Sequence, residues 1–152
     1  MIDAQVVVES NNWKKIIKNP KRLILNTLGK FPKRYKFVNK KVYISVLLTS
    51  NKKIQLLNKK FRKKNKSTDI LSFPFFDKKN LKKILKNKKF YLGDIAIGYE
   101  EFLKLNKNNY KYGFIKIFIH GFLHLLNFNH KSEKAFKAMN SIENKIFQNV
   151  KG

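Results

Sequence analysis

The sequence predicts an α+β fold, a small mixed sheet packed against helices. Strand-like, β-branched runs concentrate early, whereas the most apolar helical stretch, Tyr110 to Leu126, comes late. That order argues against a doubly wound sheet, which would alternate strands and helices throughout. Size agrees: 152 residues, 43% hydrophobic with 14 Phe, 6 Tyr and 1 Trp, supply a real core, and a chain of this length buries about two-thirds of its unfolded surface. No repeat and no linker divides the sequence, so residues 1–152 are read as a single domain.

The elements follow in order. Ile2 to Val8 is rich in β-branched residues and reads as a strand. Ser10 is positioned to cap a helix carrying Trp13, Ile16 and Ile17. Pro20 suits the first turn of a second helix, with Leu23, Leu25 and Leu28, that stops near Gly29 and Pro32. Val42 to Leu48 reads as a buried strand, and Thr49 or Ser50 caps a helix with Ile54, Leu57 and Phe61 on one face. Asp69 to Phe75 is a strand, and Pro74 within it demands an edge position or a strand end. The Lys-rich stretch from Lys78 to Lys89 is punctuated by Leu81, Ile84 and Leu85, the pattern of a short amphipathic helix or ordered loop. Tyr91 to Ile97 is a further strand. Tyr110 to Leu126 is apolar nearly all round in its second half, which places it centrally. Ser132 caps a last helix with Phe136, Met139, Ile142 and Ile146.

Composition excludes several classes. There is no cysteine, which removes disulfide scaffolds, thiolate zinc sites and thiol catalysis. The longest near-continuous apolar run, Phe114 to Phe128, contains Lys116, His120, His124 and Asn127 and falls short of the roughly 20 residues of a membrane span. The first ten residues lack a basic segment followed by an apolar one, so no signal peptide and a cytoplasmic location are expected. Thirty-five Lys and Arg against nine Asp and Glu give a net charge of +26. Part of this excess matches the Lys-, Asn-, Ile- and Phe-rich usage of an AT-rich genome. Whatever its origin, such a surface attracts a polyanion, with nucleic acid the first expectation.

All three histidines of the chain, His120, His124 and His130, lie in one eleven-residue window, HGFLHLLNFNH. Residues four apart share a helix face, so His120 and His124 can present two imidazoles to one ion. A straight helix cannot deliver the third. Asn127 tolerates the left-handed conformation that ends a helix and lets the chain turn back to bring in His130. The spacing is that of metzincin zinc helices, and three histidines with an open position suit catalytic rather than structural zinc. Chance clustering of core or surface histidines explains neither the spacing nor three ionisable groups beside the most apolar segment. Gly121 follows His120 where a zinc protease carries its glutamate base. Phosphodiesters fit this arrangement better than amides, because cationic groups can neutralise the charge that develops on phosphate oxygens. Gly121 also allows a strand to pack closely against the helix.

The window from His120 to His130 resembles the H-G-x-L-H-L-x-G-Y-D-H signature of the YbeY family of bacterial rRNA maturation endoribonucleases. Two further blocks resemble that family in the same order. They are Leu57-Asn58 through Phe61-Arg62 with Ser67-Thr68-Asp69-Ile70-Leu71-Ser72-Phe73-Pro74, and Tyr91-Leu92-Gly93-Asp94-Ile95-Ala96-Ile97. The resemblance runs from about Val42 to about Ile146. It implies one zinc ion held by His120, His124 and His130, and Arg62 in the active cleft. It further implies metal-dependent cleavage of single-stranded RNA, maturation of the small-subunit rRNA 3′ end and ribosome quality control. The partners it implies are RNA and the small ribosomal subunit, with no membrane and a monomeric chain. Arg62 is one of three arginines, with Arg22 and Arg34, and its planar fork offers a bidentate grip on phosphate that lysine lacks.

Among the departures from the family pattern, three bear on the site and its approach. Asn127 stands for Gly, Asn129 for Asp beside the third histidine, and Ser67 for Pro. Asp69 and Asp94 match the family's acids and read as structural anchors, and Phe73 reads as packing. Two other functions stay open at this point. One is a zinc peptidase, favoured by the histidine spacing and opposed by Gly121. The other is a non-catalytic zinc-containing ribosome assembly factor, favoured by Asn129 and the absent base.

Overall fold

The computed structural model describes residues 1–152. Four strands, β1 (Ile2–Val8), β2 (Lys41–Thr49), β3 (Ile70–Pro74) and β4 (Lys89–Gly98), form one sheet in the order β1-β2-β4-β3. β1, β2 and β4 run parallel, and β3 is antiparallel to β4 at the edge. The sheet is therefore mixed, as the sequence predicts, and Pro74 sits on an edge strand, where no inner neighbour needs its missing N–H.

Eight helices surround the sheet: α1 (Asn12–Ile16), α2 (Pro20–Gly29), α3 (Lys33–Lys36), α4 (Asn51–Arg62), α5 (Lys78–Ile84), α6 (Tyr99–Leu105), α7 (Tyr110–Leu125) and α8 (Glu133–Lys151). Ser50 and Ser132 accept from the backbone N–H of Lys53 and Ala135, capping α4 and α8 as read from the sequence. Pro20 opens α2, with Asn19 as its cap. At α1 the cap position falls on Asn11; Ser10 instead accepts from the N–H of Asn12 at 3.3 Å. The short helices α3 and α6 were not legible. α6 follows β4 with Gly98 at its cap position and no side-chain cap, so no local signal marks its start.

One sheet face carries Ala4, Val42, Ile44, Val46, Leu48, Leu92, Ile95 and Ile97, all buried. A register shift in β4 near Gly93 lets both Leu92 and Ile95 face this core. α7 lies across the same face. Phe114, Phe118 and Phe122 on it are fully buried, and Phe122 meets Phe31 edge-on with ring centroids 5.1 Å apart. α8 covers α7 with Met139, Ile146, Phe147 and Val150. No helix is long and apolar enough to cross a membrane.

Gly121 faces β3 and β4. A Cβ there would stand 2.7 Å from Ile70 Cδ1, 3.2 Å from Ser72 Oγ and 3.3 Å from Ile95 Cγ2. Close approach of helix to sheet thus leaves little room for a side chain at position 121, and the Ser72 hydroxyl donates to the Gly121 carbonyl at 3.1 Å.

Candidate metal centre

α7 ends where the histidine spacing requires. Asn127 adopts φ 66°, in the left-handed region. Phe128 N–H bonds the Leu123 carbonyl at 3.1 Å, and Asn127 N–H bonds that of His124 at 2.9 Å. These two bonds form a Schellman closure. The Asn127 amide donates to the Phe76 carbonyl at 2.8 Å, holding the turn against the loop after β3. Asn129 accepts from Lys131 N–H at 3.1 Å within the same turn.

The turn brings His130 back over α7. Candidate ligand atoms of His120, His124 and His130 all lie within 4.8 Å of one another. The Nε2 atoms of His120 and His124 are 3.0 Å apart. His124 Nδ1 lies 2.8 Å from the Phe128 carbonyl, and His120 Nδ1 lies 2.5 Å from Oε1 of Glu143. Each Nδ1 therefore carries the proton, and both Nε2 lone pairs converge on one point. Two facing lone pairs repel unless a cation lies between them, so the donor set fits a metal ion. Burial, then the neighbouring His120, hold the His124 pKa below its ordinary value. That favours the neutral, ligating form. His120 and His124 are half-buried, while His130 is exposed at the mouth.

Sequence reasoning missed Glu143. The structure places it on α8, facing His120, where it holds the ring as a carboxylate beside a ligand histidine does. A local signal exists. Met139, Glu143 and Phe147 form one row four residues apart, and its two ends are buried. An acid at a core-facing position is expensive without a partner.

The three histidines and Arg62 line one cleft of about 630 Å³. Arg62 ends α4 and reaches across β3. Its Nη2 donates to the Ser72 carbonyl at 2.5 Å, and its guanidinium carbon lies 5.5 Å from the centre of the Phe73 ring. Lys64 and Lys131 line the same cleft. One pole thus converges on a cation and the other presents cations to an anion.

The two matched acids separate. Asp69 lines the cleft; its carbonyl accepts from Gly98 N–H at 2.8 Å, and its carboxylate accepts from the Thr68 hydroxyl at 3.3 Å. Asp94 lies on the opposite sheet face, in an apolar groove with Leu47, Phe61 and Phe73, away from the histidines. It accepts from the Tyr91 hydroxyl, whose pKa burial and that bond push up to about 12. Phe73 packs edge-on against Phe61, with ring centroids 5.6 Å apart.

Comparison with known proteins gives a consistent result. The family model described as Endoribonuclease YbeY matches residues 7–151. An Endoribonuclease YbeY from Pelagibacter ubique is 48% identical over 155 aligned positions, covering 99% of this chain and 97% of the relative. One from Ehrlichia canis is 32% identical, covering 96% and 92%. A solution structure of a Thermotoga maritima protein superposes with a TM-score of 0.57 at 24% identity, covering 99% of this chain and 89% of that one, and shares the fold. A histidine cleft on this fold, with a match across nearly the whole length, leaves one assignment: the chain belongs to the YbeY endoribonuclease family.

Proposed function

We propose that the chain is a metal-dependent endoribonuclease that cuts single-stranded RNA during maturation of the small-subunit rRNA 3′ end. The observation that carries this reading is the single cleft in which three converging imidazoles face Arg62, Lys64 and Lys131. Relatives bearing the name Endoribonuclease YbeY support the activity. His120, His124 and His130 hold one zinc ion, and bound zinc supplies Lewis-acid polarisation of a phosphate oxygen and activation of water at neutral pH.

The protein's own residues do the rest. Arg62 has five N–H donors; one is held by the Ser72 carbonyl, which fixes the plane of the fork and leaves the others for the scissile phosphate. Lys64 and Lys131 neutralise flanking phosphates. Glu143 fixes the His120 ring. The protein acts in the cytoplasm as a monomer, takes part in ribosome quality control, and is brought to its target by the small ribosomal subunit. Phosphate contacts alone position RNA without reading its sequence.

A non-catalytic assembly factor is the second reading, favoured by Asn129 and Gly121 standing where carboxylates could have served as base. Incubation of zinc-loaded protein with a single-stranded RNA spanning a small-subunit 3′ end separates the two. Cleavage that stops with chelator, and with Arg62→Ala, supports the nuclease. RNA binding without cleavage supports the assembly factor.

A further inference from the structure

α7 is buried along most of its length. Between Tyr112 and Leu125 its accessible residues are Tyr112, Lys116, His120 and His124. They stand four apart and so form one row on one helix face. Half of that row is the candidate metal centre. The other half runs away from it toward the loop between α6 and α7.

The surface beside this row is a continuous trough. The cleft shares Asp69, Ile70 and His120 with a second cavity of about 310 Å³. That cavity shares Lys116 and Gly113 with a third of about 450 Å³, lined also by Lys104, Lys107 and Lys151. Asp69, at the cleft end, is the one acid lining the second and third cavities. Two of the lysines are held by aromatic faces. Lys116 Nζ lies 4.7 Å from the centre of the Phe147 ring, and Lys151 Nζ lies 5.6 Å from that of Tyr112. These contacts restrain side chains that are otherwise free to swing.

We propose that this trough is the track for RNA flanking the scissile bond on one side. Lys116 binds the phosphate next to the one held at the histidines, and Lys104, Lys107 and Lys151 bind those beyond it. The row spacing supports this register: four helical residues rise about 6 Å, the scale of one nucleotide step along an extended strand. The trough is open and its cations face phosphate, so it takes single-stranded RNA of any sequence. The inference rests on the nuclease reading and gives it a direction, with RNA running from the metal centre along α7 toward the α6–α7 loop.

The test compares two double variants that remove the same charge. Lys116→Gln with Lys151→Gln removes the two trough lysines that rest on aromatic faces. Lys41→Gln with Lys89→Gln strips a paired, exposed site at the start of β2 and β4, at the far end of these strands from Gly98 and Asp69. Zinc-loaded proteins are titrated with 2′-O-methyl oligouridylates of three and twelve nucleotides over a range of salt. The trough variant is expected to lose about tenfold in affinity for the twelve-mer, with a log–log salt slope shallower by about 1.4, that is about 0.7 per lost contact. The control pair should change less than twofold for either oligonucleotide, and the trough pair should weaken the trimer, which reaches Lys116 at most, less than the twelve-mer. Equal losses in the two variants, or no loss in the trough variant, would overturn the track. Failure of the unaltered protein to bind either oligonucleotide would overturn the nuclease reading itself.

Discussion

The Glu143 carboxylate, on the last helix, lies 2.5 Å from Nδ1 of His120, on the central helix. No local motif contains this pair, which is 23 residues apart in sequence. It makes the metal centre depend on α8 being docked.

Glu143→Ala should therefore weaken zinc binding by about 10–100-fold, the usual effect of losing a partner behind a ligand histidine. Glu143→Gln, which keeps an acceptor but loses the charge, should fall between it and the native protein. Competition with a chromophoric chelator measures both. An unchanged affinity in Glu143→Ala would show that the contact does not serve the metal.

Arg62→Lys should retain zinc and fold while cleavage falls by roughly 10²-fold, the scale set by removal of one preorganised transition-state donor. Lysine keeps the charge but cannot hold the Ser72 carbonyl and grip phosphate with the same planar fork. Single-turnover cleavage and metal content on the same sample give the answer. Native rates would place Arg62 outside the chemistry.

Gly121→Ala tests the close approach of α7 to the sheet. Alanine favours the helix by about 1 kcal/mol, but its Cβ would press on Ile70, Ser72 and Ile95, and overpacking costs about 1–3 kcal/mol. A net destabilisation of about 1 kcal/mol is expected in denaturant unfolding. A stabilised variant would mean that β3 gives way freely.

The metal-free protein should lose stability as pH falls. The folded His124 pKa is below 6.5, chiefly through burial, so the unfolded chain binds the proton more readily. The contribution is intact above about pH 6.5 and erodes as pH drops below it toward the folded value. His124→Gln should flatten the profile there. Thermal melts across this pH range in the presence of chelator are the measurement.

Much of this arrangement was legible because it is encoded locally. The run Ile2–Val8 matches β1 to the residue. The left-handed stop at Asn127 follows from what asparagine tolerates, and the convergence of His130 follows from that stop. Pro74 announced an edge. What escaped is set by distant neighbours. α6 is held by Phe102, fully buried against Trp13, and starts without a capping side chain. The parallel pairing of β1 with β2 spans two intervening helices and a third short one, and no residue in either strand specifies it. Asp69 and Asp94 look alike in sequence, yet Asp69 precedes β3 at the rim of the histidine cleft, whereas Asp94 lies inside β4 opposite Phe73 and faces the other groove.

The Arg62–Ser72 contact also bears on association between chains. Asp69 and Phe75 direct their backbone bonds toward β4, so alternation turns the backbone groups of Ser72 and Pro74 outward, along the unpaired margin of the sheet. Such a margin is a template on which another chain can add a strand. Here the Pro74 nitrogen has no hydrogen to donate, and the Arg62 guanidinium occupies the Ser72 carbonyl. The arginine proposed to grip RNA thus also occupies an acceptor that a strand added to this five-residue edge would need. A variant that empties this position exposes the carbonyl, and in a less basic chain it would invite the sticking that a +26 surface charge opposes by repulsion.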